Sequence, residues 1–225
     1  MKKNIIFSFL FLLQIAFAQD VVLNKVVKIN TNSDKIFYKI DPQKTTAEYL
    51  GEVEIQGFSD EDARVFGLIY KKAKEIGANA FSYQPLETIS GEIPQFDPFN
   101  YRLNLYYTSP ENIPAEKNFV YLIASPYQKQ TIGVNKNNVE FLPRTFKKVA
   151  LLPGENYTIS TRKLLGSAIK LSAQENQPVQ YFQFSAFSVN SNRNGTPGIN
   201  LKSGDITKLE RSYAEFLTTI YEEFK

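Results

Sequence analysis

The chain contains no cysteine and no histidine, which limits both how it can be stabilised and what chemistry it can carry. Its first 18 residues have the features of a secretory signal peptide: Lys2 and Lys3 precede an apolar run, residues 5–17, and small residues occupy the positions that a signal peptidase reads. We expect cleavage after Ala18, which leaves Gln19 as the first residue. Exported proteins often use disulfides, whereas this chain must rely on burial of apolar side chains.

The composition is consistent with a packed domain that leaves the cytoplasm. Of its 225 residues 43% are hydrophobic and 14% aromatic, which is enough for a sizeable core. The apolar run near the start is too short for a membrane span, and charged or amide residues interrupt every later one. A lipoprotein anchor requires cysteine directly after the signal peptide, and Gln19 stands there. We therefore expect a periplasmic or extracellular protein without a transmembrane segment after processing, and association with the outer membrane stays open.

The charge balance does not favour a nucleic-acid partner. Lys2 and Lys3 account for two of the three net positive charges, so the processed chain is near neutral. Nucleic-acid binders usually carry a basic stripe, but the lysines at 71, 72 and 74 lie close to acidic residues, as on an ordinary solvated helix face.

Periodicity predicts an α+β domain over residues 19–108. We expect strands at Lys35–Ile40, Tyr49–Gln56, Ala80–Leu86 and Tyr101–Tyr107. Between the second and third strands, apolar residues recur at helical spacing up to Gly77. We expect Ser59 to cap this helix, with Asp62 in the place of a capping-box acid.

A proline-containing linker, residues 109–118, leads into a second domain at residues 119–203. Short strands predicted there indicate an antiparallel β-sandwich. They are Phe119–Ala124, Gln130–Val134, Thr145–Leu151, Asn156–Thr161, Ala168–Ala173 and Val179–Phe187. Leu152-Pro153-Gly154-Glu155 is predicted to form a turn, because glycine tolerates the positive φ that the turn needs.

An amphipathic helix is predicted over residues 204–225, with an apolar stripe from Ile206 to Phe224. We expect the helix to pack on its own domain, with Phe216, Leu217 and Ile220 buried against the chain's own sheet. The alternative is that it binds a partner through Phe216, Leu217, Ile220 and Tyr221.

The absence of histidine and cysteine excludes a Ser-His-Asp triad and thiolate metal sites. Ser167 and Lys170 match the S-x-x-K motif of penicillin-binding enzymes, but the surrounding residues alternate as in a strand, whereas that mechanism needs a helix. Paired carboxylates remain at Glu52 and Glu54, and Asp60, Glu61 and Asp62 cluster at a helix start. Acids are common on exposed strand faces and at helix N-termini, so we predict no catalytic residue, cofactor or metal ligand.

Aromatic residues are a further candidate for binding, as a platform for a sugar. Alternation predicts that Tyr106, Tyr121 and Tyr127 point outward, although core or rim packing accounts for most aromatics in such a chain.

Two segments resemble known bacterial modules. Residues 50–53 and the segment Ala73 to Phe81, which contains Gly-Ala-Asn-Ala, resemble the YbjQ-type and RcsF-like small α+β domains. The roles of those families in metal binding or disulfide formation would need cysteine or histidine, so the resemblance implies only the fold. Residues 120–159 are similar to PEGA-like β-sandwich domains of envelope proteins, which implies binding to a surface or a partner. The whole chain resembles exported proteins of the Bacteroidetes type.

These patterns together predict a non-catalytic, exported binding or assembly module of the bacterial cell envelope. Its partner would be an envelope protein or a surface glycan. The alternative is a carbohydrate-active or cell-wall enzyme that uses paired carboxylates.

Overall fold

A computed structural model describes residues 20–59, 61–86, 96–161, 166–185, 188–191, 199–202 and 206–224. The predicted signal peptide and its cleavage site lie outside the described residues. The chain divides into two compact units, residues 1–113 and 114–225. The described part is α+β, with many strands in several sheets and two α-helices.

The described residues of the first unit form one mixed sheet and one α-helix, as predicted for an α+β domain. Its elements are β1 (Asp20–Val26), β2 (Tyr38–Lys39), β3 (Glu48–Gln56), α1 (Asp62–Glu75), β4 (Ala80–Pro85), β5 (Tyr101–Tyr107) and a 3-10 turn (Pro110–Asn112). The strand order is β1-β3-β5-β4-β2, and only the β2–β4 pair is parallel. The prediction missed β1 entirely, and the strand expected at Lys35–Ile40 is only two residues long.

Helix α1 packs against β1 and β3 through one apolar face. Val65, Ile69 and Ala73 recur every four residues and are buried, which is the spacing that aligns side chains on one side of a helix. The predicted N-terminal cap is wrong. The capping position is Glu61, and the Ser59 hydroxyl instead accepts a hydrogen bond from the Glu61 amide at 3.1 Å. Because the helix begins later than expected, Ser59 lies two residues before the capping position.

The segment Gly77-Ala78-Asn79-Ala80, which carries the resemblance to small α+β domains, is buried and holds the end of α1 in place. Gly77 has φ +74°, and a Cβ atom there would overlap the backbone carbonyl of Asn30. The Asn79 side chain donates to the Thr108 carbonyl at 2.8 Å and accepts from the Thr108 amide at 2.9 Å. Packing therefore explains the motif. The Asn79 side chain bonds to both the amide and the carbonyl of buried Thr108, which would otherwise lack hydrogen-bond partners.

The second unit is built almost entirely from strands. Its elements are β6 (Phe119–Ile123), β7 (Gln130–Val134), β8 (Asn137–Phe141), β9 (Thr145–Ala150), β10 (Asn156–Ser160), β11 (Ala168–Ser172), β12 (Gln180–Phe184), β13 (Ser188–Ser191), β14 (Ile199–Lys202), β15 (Ile206–Lys208), α2 (Arg211–Ile220) and β16 (Glu222–Glu223). The strand orders are β11-β10-β7-β8, β15-β12-β6-β9-β16 and β13-β14. The expectation of purely antiparallel pairing is wrong, because β12 pairs with β6 and β16 with β9 in parallel.

One apolar cluster joins the four-stranded and five-stranded sheets of this unit. Its buried members come from β6 and β12 of one sheet and from β7, β8, β10 and β11 of the other; among them are Leu122, Ile132, Phe141, Ile159 and Phe184. The predicted turn at Leu152–Glu155 is confirmed: the Glu155 amide donates to the Leu152 carbonyl at 3.1 Å, and Gly154 has φ +85°.

Helix α2 is shorter than the predicted helix of residues 204–225. Ile206–Lys208 and Glu222–Glu223 are strands that pair with β12 and β9. Ile206 and Phe224, at the two ends of the predicted stripe, pack against the apolar cluster between the sheets. These two residues are apolar because they contact the cluster. The sequence alone does not distinguish such residues from those on the apolar face of a helix.

Among the described residues, no helix combines the length and the apolar character needed to cross a membrane.

Candidate functional site

Helix α2 lies across the five-stranded sheet of the second unit. It is preceded by β15 at one edge of the sheet and followed by β16 at the opposite edge. Ten helical residues span about 15 Å, and five strands span about 19 Å, so the helix with its short connections crosses the full width of the sheet. It covers the face opposite the apolar cluster, because Tyr181 alternates with the clustered Phe182 and its hydroxyl bonds to Glu215 of α2.

Of the four residues predicted for a partner contact, three lie on this crossing helix and Tyr221 directly follows it; all four are buried within the chain. Phe216 and Leu217 have no exposed surface, and Ile220 and Tyr221 have almost none. A partner could reach these side chains only if α2 moved away from the sheet.

A row of tyrosines and charged groups runs along the covered face. The rings of Tyr121 and Tyr181 stack with centroids 5.1 Å apart. Tyr121 donates to Glu116 at 2.7 Å, and Tyr181 donates to Glu215 at 3.3 Å. Lys148 also contacts Glu116 at 2.7 Å. We refer to Tyr121, Tyr181 and their two glutamates as the tyrosine row.

Both phenols of the tyrosine row hold their protons strongly. Burial, mainly, and then the adjacent Glu116 raise the pKa of Tyr121 far above its ordinary value. Burial and then Glu215 raise the pKa of Tyr181 in the same direction. A phenol that stays neutral at physiological pH serves as a hydrogen-bond donor and a poor nucleophile, so the row acts in packing.

The predicted carboxylate pair does come together, on the face of the first sheet that α1 leaves uncovered. Arg102 Nε lies 2.8 Å from Glu54 Oε2 and 3.5 Å from Glu52 Oε1. Asn24 Nδ2 donates to Glu52 at 2.7 Å, and Gln56 Nε2 donates to Glu54 at 2.6 Å. The guanidinium and the amides occupy the carboxylate oxygens, so this arrangement is an ion-paired network on a sheet face.

The acidic cluster at the start of α1 does not form a site. Asp60 lies outside the described residues, Glu61 is exposed and Asp62 is buried. Arg64 lies 3.8 Å from Glu61 across one helical turn, in an exposed pair. In the described part of the chain, no three acidic side chains approach each other in a way that would hold a metal ion.

The proposed tyrosine platform for sugars is not assembled either. Tyr106 is buried in a small cluster with Tyr38 and Ile40 in the first unit, whereas Tyr121 is half-buried in the tyrosine row of the second. Only Tyr127 is well exposed.

The most accessible feature of the first unit is its edge strand β1, which sequence reasoning missed. Val22 is 53% exposed and Val26 48%, and just after the strand Val27 and Ile29 are 57% and 68% exposed. β1 pairs with β3 on one side, and no strand pairs with its other side among the described residues. The run Val21-Val22-Leu23 and the later Val26-Val27 are rich in valine, which favours strands. This usable signal lies directly after the apolar run of the predicted signal peptide.

β1 carries a bulge at Asn24. Leu23 pairs with Val53 and Lys25 with Glu52, so Asn24 is the extra residue. Its side-chain amide is the donor to Glu52 in the ion-paired network. The bulge therefore turns Asn24 towards the face of its own sheet.

No family model, curated protein or solved structure matches the chain.

Proposed function

We propose that the chain is an exported, non-catalytic binding or assembly module of the bacterial cell envelope, located in the periplasm or outside the cell. The observation that carries this proposal is the outer edge of β1: no strand of the described residues pairs with it, and four exposed apolar residues lie within residues 22–29. Sheet edges of this kind bind other polypeptides by adding a strand. The signal peptide predicted at residues 1–18 supplies the compartment.

The contacts of the carboxylates support a binding role over the enzymatic alternative. A glycosidase needs two carboxyl groups about 5 to 9.5 Å apart across a cleft that admits the sugar. Arg102 Nε lies 3.5 Å from Glu52 and 2.8 Å from Glu54, and Asn24 and Gln56 donate hydrogen bonds to the same two carboxylates. The arginine therefore lies between the two groups, where the substrate of such an enzyme would have to bind.

We further propose that the second unit is a β-sandwich of the PEGA-like kind and that the first is related to YbjQ-type and RcsF-like domains. The apolar cluster shared by two sheets supports the first relationship. The buried Gly77-to-Ala80 segment supports the second. An envelope protein or a surface glycan is the proposed partner, without a cofactor or nucleic acid.

Export is tested by expressing the complete chain in a bacterium, fractionating the cells and measuring the intact mass of the product. We expect a periplasmic or secreted protein that begins at Gln19, in open or cyclised form. The control variant Ala18→Tyr places a bulky residue at the cleavage position and should retain the leader. A native product that retains residues 1–18 and stays in the cytoplasm would contradict the proposal.

A further inference from the structure

We propose that β1 pairs in antiparallel fashion with β1 of a second copy of the chain, so that two first units share one continuous sheet. This inference deepens the assembly part of the proposed function and rests on it. It concerns only the β1 edge, defined as residues 20–29.

The backbone of the β1 edge is available for pairing. β1 is seven residues long, contains no proline and forms the outer strand of its sheet. Proteins usually protect such edges with short strands, proline, charge or a bulge. Two of those devices are present: a bulge at Asn24 and the charged side chain of Lys25. The bulge, however, directs the Asn24 side chain to Glu52 on the sheet face, so that side chain does not block the edge.

The apolar side chains along the edge favour burial by another protein surface. Four valine and isoleucine residues within eight positions are about half or more exposed. Val22 and Val26 lie on opposite faces of β1, and the other two residues follow the strand. The other large exposed apolar residues of the described chain, such as Leu68 of α1 and Leu152, are spread over separate elements. Isolated exposed apolar residues are ordinary, whereas several within one short edge segment mark a contact surface.

Charge complementarity selects a second copy as the occupant and sets its direction. β1 begins with the acid Asp20, and Lys25 lies near its other end. Lys28, just beyond the strand, is already ion-paired with Glu48 of its own chain. When two copies meet antiparallel about a two-fold axis, Asp20 of each strand approaches Lys25 of the other, and both ion pairs form by symmetry. Parallel pairing would set lysine beside lysine and acid beside acid.

The opposite edge of the same sheet explains why pairing would stop at two copies. That edge is β2, which is only two residues long. A strand this short offers almost no backbone for a further copy, so it protects the edge. The assembly is therefore a closed dimer of two first-unit sheets.

Single cysteines test the pairing directly, because the chain has none of its own. Each residue from Asp20 to Val26 is replaced by cysteine in turn, and the purified product is oxidised and run on a non-reducing gel. Opposed residues of antiparallel strands have Cα atoms about 4.5 to 5.5 Å apart, within the range of a disulfide. We expect a covalent dimer at the position nearest the two-fold axis, and a yield that falls on either side of it.

The matched control is Leu152→Cys, which places an equally exposed cysteine on a turn of the second unit. We expect only the slow background of random collision from it. Equal cross-linking at residue 152 and throughout residues 20–26 would overturn the inference.

Charge reversal tests the occupant and its direction. Sedimentation should show a dimer for the native chain, a shift towards monomer for Asp20→Lys, and recovery of the dimer when Lys25→Asp is added. Circular dichroism of each variant checks that the fold is retained. A native protein that is monomeric at all concentrations, or a dimer unaffected by these changes, would overturn the inference. A monomer that is still exported and cleaved leaves the proposed function standing, whereas a cytoplasmic dimer with its leader intact contradicts only the export.

Discussion

The two α-helices in the described part of the chain end for different reasons. Helix α1 of the first unit ends at a local signal, Gly77, whose positive φ and lack of a side chain let residue 30 pass close to it. Helix α2 of the second unit is bounded by residues that pair with β12 and β9, strands that precede it in the chain. Helix ends set by local conformation are visible in a sequence, and those set by strand pairing are not.

The units also differ in what their sheets bury. The first places α1 on one face, and its other face carries the ion-paired network and a small apolar cluster. The second packs two sheets around a shared apolar cluster and covers the far face of one with α2. Four substitution or titration experiments probe this contrast.

The largest effect is expected from Phe216→Ala on α2. This side chain is fully buried, so its removal should cost about 3 to 5 kcal/mol of unfolding free energy. Urea titration followed by circular dichroism measures the loss. The control Leu152→Ala removes an exposed side chain from the same unit and should stay within about 0.5 kcal/mol. If Phe216→Ala left stability unchanged and abolished binding to a partner, α2 would be an interaction element.

Gly77→Ala should be the next most damaging change. A methyl group there overlaps the Asn30 carbonyl, and alanine is also strained at φ +74°, so we expect a loss of about 3 kcal/mol. The matched variant in the second unit is Gly154→Ala, which has a similar φ of +85° and open space around it. That variant should lose only about 1 to 2 kcal/mol of stability, which is the cost of placing alanine at a positive φ. Equal losses would show that the close approach of residue 30 is unimportant.

The tyrosine row should make the second unit sensitive to alkali. The folded-state pKa values of Tyr121 and Tyr181 lie above the unfolded value of about 10. Their contribution to stability is therefore complete below pH about 10 and is lost as pH rises towards the folded-state values. Absorbance of tyrosinate should appear for these residues only together with unfolding. In Tyr121→Phe, the loss of stability above pH 10 should be shallower, and an unchanged slope would contradict the assignment.

The smallest expected effect is a gain in stability from Gly67→Ala. Gly67 lies within α1, is exposed, and has nothing within 4 Å of an added Cβ atom. Alanine is about 1 kcal/mol better than glycine inside a helix, so the midpoint of thermal unfolding should rise by a few degrees. A destabilised variant would indicate that the exposed face of α1 meets a neighbour.

Much of the first unit was predictable because its signals are local. The helical spacing of Ile69, Ala73 and Ile76 and the alternation along β3 and β5 all depend on nearby residues. The cap at Ser59 failed because serine closes short backbone turns as readily as it caps helices. Strand β1 was missed because its apolar residues follow the signal peptide directly.

The candidate sites depended on non-local contacts, and prediction was weaker there. Alternation placed Glu52 and Glu54 on one face, but only the pairing of β3 with β5 brings Arg102 beside them. The parallel pairing of β6 with β12 and of β9 with β16 could not be inferred. The sequence of a short strand does not indicate whether its partner runs parallel or antiparallel. The burial of Phe216 was predicted, whereas the crossing of α2 over the whole sheet was not.

The path of α2 over the five-stranded sheet has a consequence for the order of events during biosynthesis. Both outer strands of that sheet and the helix between them come from residues 206–223, after every other strand of the sheet. Because a chain emerges from its N-terminus first, β6, β9 and β12 are made before the two outer strands. Until this late segment arrives, β9 and β12 each lack one neighbouring strand. For a polypeptide exported as we propose, such a delay is an advantage, since the five-stranded sheet cannot be completed before residues 206–223 have crossed the membrane.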